Sequence, residues 1–231
     1  MYIAFIAKMI VKMNRLLFVW CILISVAFGA GAQVQVRNEP RHHNVFENKY
    51  FRVLDVKIPP HDTTLQHIHS TPSVILFFSN TVTATQLKGQ GWVKSTSVAG
   101  TALYRDFAKD TTIHRVSNWD TVPYHVTDIE LLSAYKPNDG SKPLPFTLLF
   151  DAEKAFAYRL TDSSLSTKIV SKRGPMIAGL VAGDDIILHD RTHNKIITIK
   201  GGRETYIPPG ISFYLSATGK RWINLVLFEI K

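Results

Sequence analysis

Apolar and polar residues alternate with a period of two along much of the chain, the pattern of strands with one buried face. Residues 50–58 alternate and stop at Pro59 and Pro60, and residues 81–87 alternate and are rich in β-branched side chains. Residues 73–78 instead form a continuous apolar run, Ser-Val-Ile-Leu-Phe-Phe. Such a run predicts a strand that is buried on both faces.

Strand signals recur at short intervals along the rest of the chain, separated by Gly, Pro and Asn turns. They predict strands at 113–116, 124–132, 156–161, 175–181, 185–189, 195–199, 204–207 and 223–230. The sequence shows no convincing long amphipathic helix. Short strands at regular spacing predict an all-β protein, built as a sandwich or barrel.

Residues 136–145 (Lys-Pro-Asn-Asp-Gly-Ser-Lys-Pro-Leu-Pro) form a polar, turn-rich stretch that is typical of a linker. The segments on either side match each other weakly. Each ends on an apolar strand with a glutamate near its end, Glu130 in one and Glu229 in the other. This pattern favours a duplication and predicts two domains, at 33–135 and 146–231.

Residues 1–32 form a pattern typical of export. Basic residues precede an apolar run at 16–28, and the segment contains no acidic residue. The run leads into Gly-Ala-Gly-Ala at 29–32, which places small side chains where a signal peptidase recognises them. This pattern predicts a secretory signal peptide cleaved after Ala32.

The apolar run is shorter than the ~20 residues that a membrane-spanning helix needs, which favours cleavage over anchoring. An uncleaved anchor is the alternative, because the residues before Lys8 are also apolar. Translation from Met13 rather than Met1 would give a leader of more usual length. We expect the mature protein in the periplasm or secreted, with no membrane segment after cleavage.

Cys21 is the only cysteine, and it lies in the apolar run. The mature chain is therefore expected to have no disulfide and no thiolate ligand. Any metal ion would have to be held by nitrogen or oxygen atoms.

The leader holds three of the 27 basic residues and none of the 18 acidic ones, so the mature chain carries 24 basic against 18 acidic residues, a net charge of +6. These charges are scattered and form no run typical of a nucleic-acid site. The sequence also lacks a phosphate-binding Gly-rich loop and a dinucleotide fingerprint, so we expect no nucleotide cofactor.

His67 and His69 flank one residue just before the apolar strand at 73–78. Residues i and i+2 of a strand point to the same face, so both imidazoles can reach one divalent ion. A third histidine, His114, lies in a turn-to-strand context further along and is followed by Asn118. Together these residues indicate a nitrogen-ligated metal site.

These residues resemble the two motifs of the cupin family, G-x5-H-x-H-x3-4-E-x6-G and G-x5-P-x-G-x2-H-x3-N. His67 and His69 match the paired histidines of the first motif, and His114 and Asn118 match the end of the second. The resemblance implies two tandem cupin-type (jelly-roll) β-barrels. It also implies that His67, His69 and His114 bind a metal inside the first barrel.

The second half resembles a cupin barrel that lacks the motif histidines. The likeness is clearest at residues 208–213 (Pro-Pro-Gly-Ile-Ser-Phe), where Phe213 stands in place of the histidine and Ala217 in place of the asparagine. Gly-Pro-Met at 174–176 occupies the region of the paired histidines. The resemblance thus implies a structural second barrel.

The first half departs from the family motifs at two places. Ser73 and Val74 stand where the glutamate of the first motif is expected, and the Pro-x-Gly before His114 is absent. Three neutral histidines then remain, as in the three-histidine cupins that hold ferrous iron and use dioxygen.

The resemblance implies one divalent ion (Fe, Mn, Ni or Zn) and a small organic ligand or substrate, with dioxygenase-like or isomerase-like chemistry. It also implies a homodimer, because cupins often pair through their barrels.

Three further residues are candidates to contact the ligands or a bound molecule: His125 on the strand that closes the first barrel, Asn118, and His61 at the barrel lip. His42 and His43 lie in a polar stretch and are interpreted as solvated. The segment from His189 to His193 is interpreted as a hairpin turn.

The sequence leaves open whether the protein is an enzyme. One alternative is a binding module in which the barrel takes up a sugar or an aromatic compound without a metal. Another is a structural protein with filled barrels, which the bulky Phe77, Phe78 and Phe213 favour.

Overall fold

The structure, a computed structural model, describes residues 33–135, 143–161, 169–219 and 222–231. The predicted signal peptide and most of the predicted linker lie outside the described residues. Residues Val34–Lys231 form one compact unit. Within the described ranges, no helix has both the length and the apolar character needed to cross a membrane.

The first half of this unit is a two-layered β-structure. Two five-stranded sheets, with strand orders β1-β4-β9-β6-β7 and β2-β3-β10-β5-β8, enclose an interior between them. The elements are β1 (Val34–Gln35), a 3₁₀ helix (Val36–Asn38), β2 (His42–Glu47), β3 (Phe51–Ile58), β4 (His67–His69), β5 (Ser73–Phe77), β6 (Thr81–Leu87), β7 (Trp92–Ser97), β8 (Ala102–Arg105), β9 (Thr112–Asn118) and β10 (Tyr124–Leu131).

The second half repeats this plan with a smaller second sheet. Its sheets have the orders β11-β12-β18-β13-β16 and β15-β14-β17. The strands are β11 (Thr147–Asp151), β12 (Ala155–Leu160), β13 (Met176–Ala182), β14 (Ile186–Asp190), β15 (Lys195–Ile199), β16 (Arg203–Ile207), β17 (Phe213–Ala217) and β18 (Asn224–Ile230).

The two halves pack against each other through an apolar cluster that draws on one sheet from each. Val74 and Leu76 of β5 contribute to this cluster with residues such as Ile177 and Val226 of the second half. The alternate β5 side chains, Ile75 and Phe77, pack into the interior of the first half. The continuous apolar run is therefore a strand covered on both faces, as predicted.

The interior of the second half is filled by apolar side chains. Phe213 and Met176, which stand in place of the motif histidines, are both fully buried there and pack with Tyr158 and Leu227. Burial of large apolar side chains is the dominant favourable contribution to folding, so this half provides a well-packed core.

The all-β prediction is confirmed. The sheets face one another as jelly rolls and do not close into continuous barrels. The hairpin at 189–193 is also confirmed, because β14 pairs with β15 across a turn. β7 was not predicted: it is the edge strand of its sheet, and all but one of its residues are exposed, so its sequence carries little apolar alternation.

Candidate metal centre

His67, His69 and His114 converge inside the first jelly roll. His67 and His69 occupy alternate positions of β4, and both are buried. His114 lies on β9, directly opposite His67 in the antiparallel ladder. Two adjacent strands of one sheet thus bring His67 and His69, which are close in the sequence, to the same face as His114, which is distant in the sequence.

The spacing of the three imidazoles suits a shared ion. One nitrogen from each ring lies within 4.8 Å of the others. The Nε2 atoms of His69 and His114 are 3.0 Å apart. Two nitrogens bound at ~2.1 Å to one ion, at right angles, lie ~3.0 Å apart, so this pair already has the separation of neighbouring ligands.

The orientation of His67 is set by its backbone surroundings. Its Nδ1 lies 2.8 Å from the carbonyl oxygen of Leu65, which can only accept a hydrogen bond, so Nδ1 donates. Nε2 then carries the lone pair, and it is buried with no hydrogen-bond partner among the described residues. A buried acceptor of this kind fits a metal ligand, because leaving it unsatisfied has a free-energy cost.

Burial keeps two of the rings neutral. Desolvation, reinforced by the neighbouring imidazoles, lowers the pKa of His67 to about 3 and that of His114 to about 2. Only a neutral imidazole has a lone pair free for coordination, so these two residues are in the protonation state that a metal requires.

Asp128 on β10 adds a buried carboxylate beside His69. Its Oδ2 lies 3.3 Å from Nδ1 of His69, on the side of the ring away from His114. Burial opposes ionisation of Asp128, but the interaction with His69 outweighs it and lowers the pKa of the carboxyl group. Because the two atoms lie at ion-pair distance without hydrogen-bond geometry, Asp128 acts on His69 through its charge, which raises the basicity of a ligating ring.

His42 is a fourth imidazole at the site, and the prediction that it is solvated is wrong. Its side chain is only 6% exposed, and its ring centroid lies 4.8 Å from that of His67. Its Nδ1 is 2.7 Å from Oε2 of the buried Glu39. The polar stretch around His42 concealed this position, although the Glu-x-x-His spacing was visible in the sequence.

A cavity of about 680 Å³ opens beside the histidines. Its apolar wall comes from the sheet that packs against the second half and includes Val56, Ile75, Phe77, Leu103 and Val126. Its opposite wall carries hydroxyl groups from β6 and β7: Thr83, Thr85, Ser95, Thr96 and Ser97. Arg105, Asp106 and Asp110 also line it, so the cavity offers apolar, hydroxyl and charged contacts.

His125 does not join the cluster. It lies on the other face of its sheet, turned toward the second half, where its ring stacks on Phe78 with centroids 4.8 Å apart. Its Nε2 is 2.8 Å from Oδ1 of Asp55. His125 is therefore half-buried and already paired.

Asn118 and His61 also lie outside the cluster. Asn118 is fully buried and joins the end of β3 to the loop after β9, because its Nδ2 donates to the carbonyl oxygens of Ile58 and Val122. His61 is an exposed turn residue with φ of 59°. Neither residue lines the cavity.

Comparison with solved structures finds a similar fold in other proteins. AerE from Microcystis aeruginosa superimposes with a TM-score of 0.59 at 14% identity, covering 84% of this chain and 98% of AerE. Salicylate 1,2-dioxygenase from Pseudoaminobacter salicylatoxidans, in adducts with gentisate, gives 0.56 at 12% identity, covering 91% and 79%. A cupin 2 conserved barrel domain protein from Leptotrichia buccalis gives 0.52 at 11% identity, covering 87% and 100%.

No protein-family model matches the sequence, and no curated protein matches it significantly. At these low identities the structural likenesses establish the fold. The chain has the cupin fold that its histidine motifs predicted.

Proposed function

We propose that this protein is an exported cupin-fold metalloprotein that acts on a small organic molecule. One divalent ion would be held by His67, His69 and His114 in the first jelly roll. The observation that carries this proposal is the convergence of three buried imidazoles beside an open cavity, with Nε2 of His67 left without a partner among the described residues.

The ion would be iron, manganese, nickel or zinc. It would supply Lewis-acid or oxygen-activating chemistry. The protein would supply the remainder of the site. The carbonyl oxygen of Leu65 orients the ring of His67, and Asp128 places a negative charge beside His69. Burial keeps His67 and His114 neutral and available as ligands. The cavity walls hold the molecule beside the centre and limit the access of water.

The cavity favours a small molecule with both an apolar face and polar groups. Ile75 and Phe77 offer apolar contact, while Thr83, Thr85 and Ser95 face them with hydroxyl groups. The gentisate bound by the similar salicylate 1,2-dioxygenase combines an aromatic ring with hydroxyl and carboxylate groups. Hydroxylated aromatic acids are therefore the first class to test.

Elemental analysis of the purified mature protein tests the metal. We expect near-stoichiometric metal in the wild type and its loss in the His67→Ala, His69→Ala double variant. The matched control is His189→Ala, because His189 pairs with Ser216 in the second half, outside the cluster. Metal-free wild-type protein from a metal-replete preparation would contradict the proposal.

A binding module without a metal is the second candidate. The 3.0 Å separation of the His69 and His114 Nε2 atoms is also a hydrogen-bond distance, so the two rings can satisfy each other. A chelator distinguishes the two functions. Ligand binding that survives complete removal of metal would favour the binding module.

Export and the formation of a homodimer are further parts of the proposal. Mass spectrometry of periplasmic protein is expected to find an N-terminus at Gln33, as cleavage after Ala32 requires. Light scattering of the mature protein is expected to find a homodimer. Protein that keeps its leader in the membrane fraction would support the anchor instead.

A further inference from the structure

Glu39 is a buried carboxylate that lies between the 3₁₀ helix and β2. Its side chain is fully shielded from solvent, and both oxygens accept hydrogen bonds. Oε2 accepts from the backbone N–H of Arg41 at 2.7 Å and from Nδ1 of His42 at 2.7 Å. Oε1 accepts from the backbone N–H of Leu65 at 3.0 Å and from Nη1 of Arg41 at 3.2 Å.

The contact with Leu65 links Glu39 to a candidate metal ligand. The N–H of Leu65 is held by Glu39, and the carbonyl oxygen of the same residue accepts from Nδ1 of His67 at 2.8 Å. Movement of the Leu65 backbone would therefore move the group that fixes the ring of His67. Glu39 and His67 are coupled through one residue.

The contact with His42 concerns a second ring of the site. An ionised carboxylate can only accept hydrogen bonds, so Nδ1 of His42 donates to Glu39. Nε2 is then the ring nitrogen that is available to a molecule in the cavity, which His42 lines. One carboxylate thus sets the direction of two imidazoles whose centroids are 4.8 Å apart.

Pairing with Arg41 does not account for this arrangement. Asp62 already binds the Arg41 guanidinium through both oxygens, at 2.7 and 2.8 Å. Arg41 therefore has a carboxylate partner without Glu39. Besides its contacts with Arg41, Glu39 accepts hydrogen bonds from His42 and from the backbone N–H of Leu65. The carbonyl oxygen of Leu65 in turn holds His67.

We propose that Glu39 is a positioning residue of the metal centre: it holds His67 through the backbone of Leu65 and turns His42 toward the cavity. This proposal rests on the proposed function, because the orientation matters if His67 is a ligand. It adds a carboxylate from a segment outside both sequence motifs.

Ni²⁺ binding to metal-free mature protein tests the proposal through a Glu39→Gln variant. The amide keeps the size of the side chain but loses the charge and one acceptor oxygen. Loss of a carboxylate that supports a ligating histidine typically lowers metal affinity roughly 10–100-fold, and we expect a loss in that range. The matched control is Glu229→Gln, which removes a buried carboxylate that binds Arg173 in the second half. It is expected to leave Ni²⁺ affinity unchanged.

Ring ¹⁵N NMR of the metal-free protein supplies a readout that general destabilisation would not change. In the wild type, His67 and His42 should both carry the proton on Nδ1. In Glu39→Gln, the Nδ1–H form of both rings should become less populated, while Glu229→Gln should match the wild type. Folded Glu39→Gln with wild-type Ni²⁺ affinity and wild-type ring signals would overturn the proposal.

The wild-type spectrum keeps the proposal testable if Glu39→Gln does not fold. An Nε2–H form of either ring in that spectrum would also overturn it. Failure of the wild type to bind any Ni²⁺ would refute the proposed function, whereas the ring signals would still report on the orienting contacts of Glu39. The two failures are therefore distinguishable.

Discussion

His67 and His114 lie directly opposite each other in the antiparallel β4–β9 ladder, with ring centroids 4.6 Å apart. The ladder register places both rings on the interior face. A slip of one residue would turn His114 to the other face, because strand side chains alternate. The candidate centre therefore depends on the pairing of two strands, and its geometry is held by backbone hydrogen bonds.

Asp128→Asn is expected to weaken metal binding roughly 10–100-fold, because it removes the negative charge behind His69. Isothermal titration of metal-free protein with Ni²⁺ measures the change. Glu130→Gln is the control, since Glu130 is also buried on β10 but binds Arg52. Equal affinities for the two variants would show that Asp128 does not support the site.

Stability is expected to fall in acid through Asp55. Burial opposes ionisation of Asp55, but hydrogen bonds from His125 and Lys57 outweigh it and lower its pKa from 3.8 to about 2. The folded state therefore prefers the ionised form, and the contribution is complete above pH 3.8 and lost as the pH falls to about 2. Its size is roughly 1–2 kcal/mol after allowance for solvent screening.

Denaturant unfolding between pH 5 and pH 2 checks this prediction. Asp55→Asn should be less stable than the wild type at pH 5, and the gap should close toward pH 2. Asp110→Asn, at an exposed aspartate, should follow the wild type throughout. A constant gap for Asp55→Asn across this range would contradict the assignment.

Asn118→Ala is expected to destabilise the first jelly roll by roughly 2–3 kcal/mol, because it leaves buried backbone groups without partners. The side chain donates to Ile58 and Val122, and its Oδ1 accepts from the N–H of Asp120. Chemical denaturation measures the loss, with exposed Thr121→Ala as the control. Folded Asn118→Ala should retain wild-type Ni²⁺ affinity. A specific loss of Ni²⁺ affinity would show instead that Asn118 belongs to the metal site.

Gly179→Ala is expected to destabilise the packing of the two halves by roughly 1–3 kcal/mol, the usual effect of overpacking. A Cβ atom at Gly179 would lie 2.4 Å from Cδ2 of Leu76 across the junction. Leu76→Ala removes that atom, so the double variant should be less destabilised than the sum of the two single variants. Additive effects in the double-mutant cycle would show that the two positions do not meet.

Much of the fold was predictable because strand patterns are local. Residues 81–87 and 195–199 form strands with the predicted bounds, and the apolar run at 73–78 forms a strand buried on both faces. The convergence of His67, His69 and His114 followed from strand alternation and from the cupin motifs together. Each strand and each motif was a signal within a few consecutive residues, and the pairing of β4 with β9 brought the two motifs together.

The remaining parts of the site were not visible in such local patterns. His42 and Asp128 belong to β2 and β10, in the sheet opposite the three histidines, and neither lies in a motif. Their approach to the cluster depends on which faces of the two sheets meet. His125, a better candidate by sequence, lies on the same strand as Asp128 but points to the other face.

The sequence by itself determined an all-β chain with two similar halves, a histidine pair on one strand face and a second half whose motif histidines are replaced. These properties arise from residue type and from the two-residue period of a strand. Only the tertiary structure decided that His42 and Asp128 join the cluster, that His125 pairs with Asp55 at the junction, and that Phe213 fills the second interior. Those outcomes depend on strand pairing and sheet packing between distant segments, which no local period encodes.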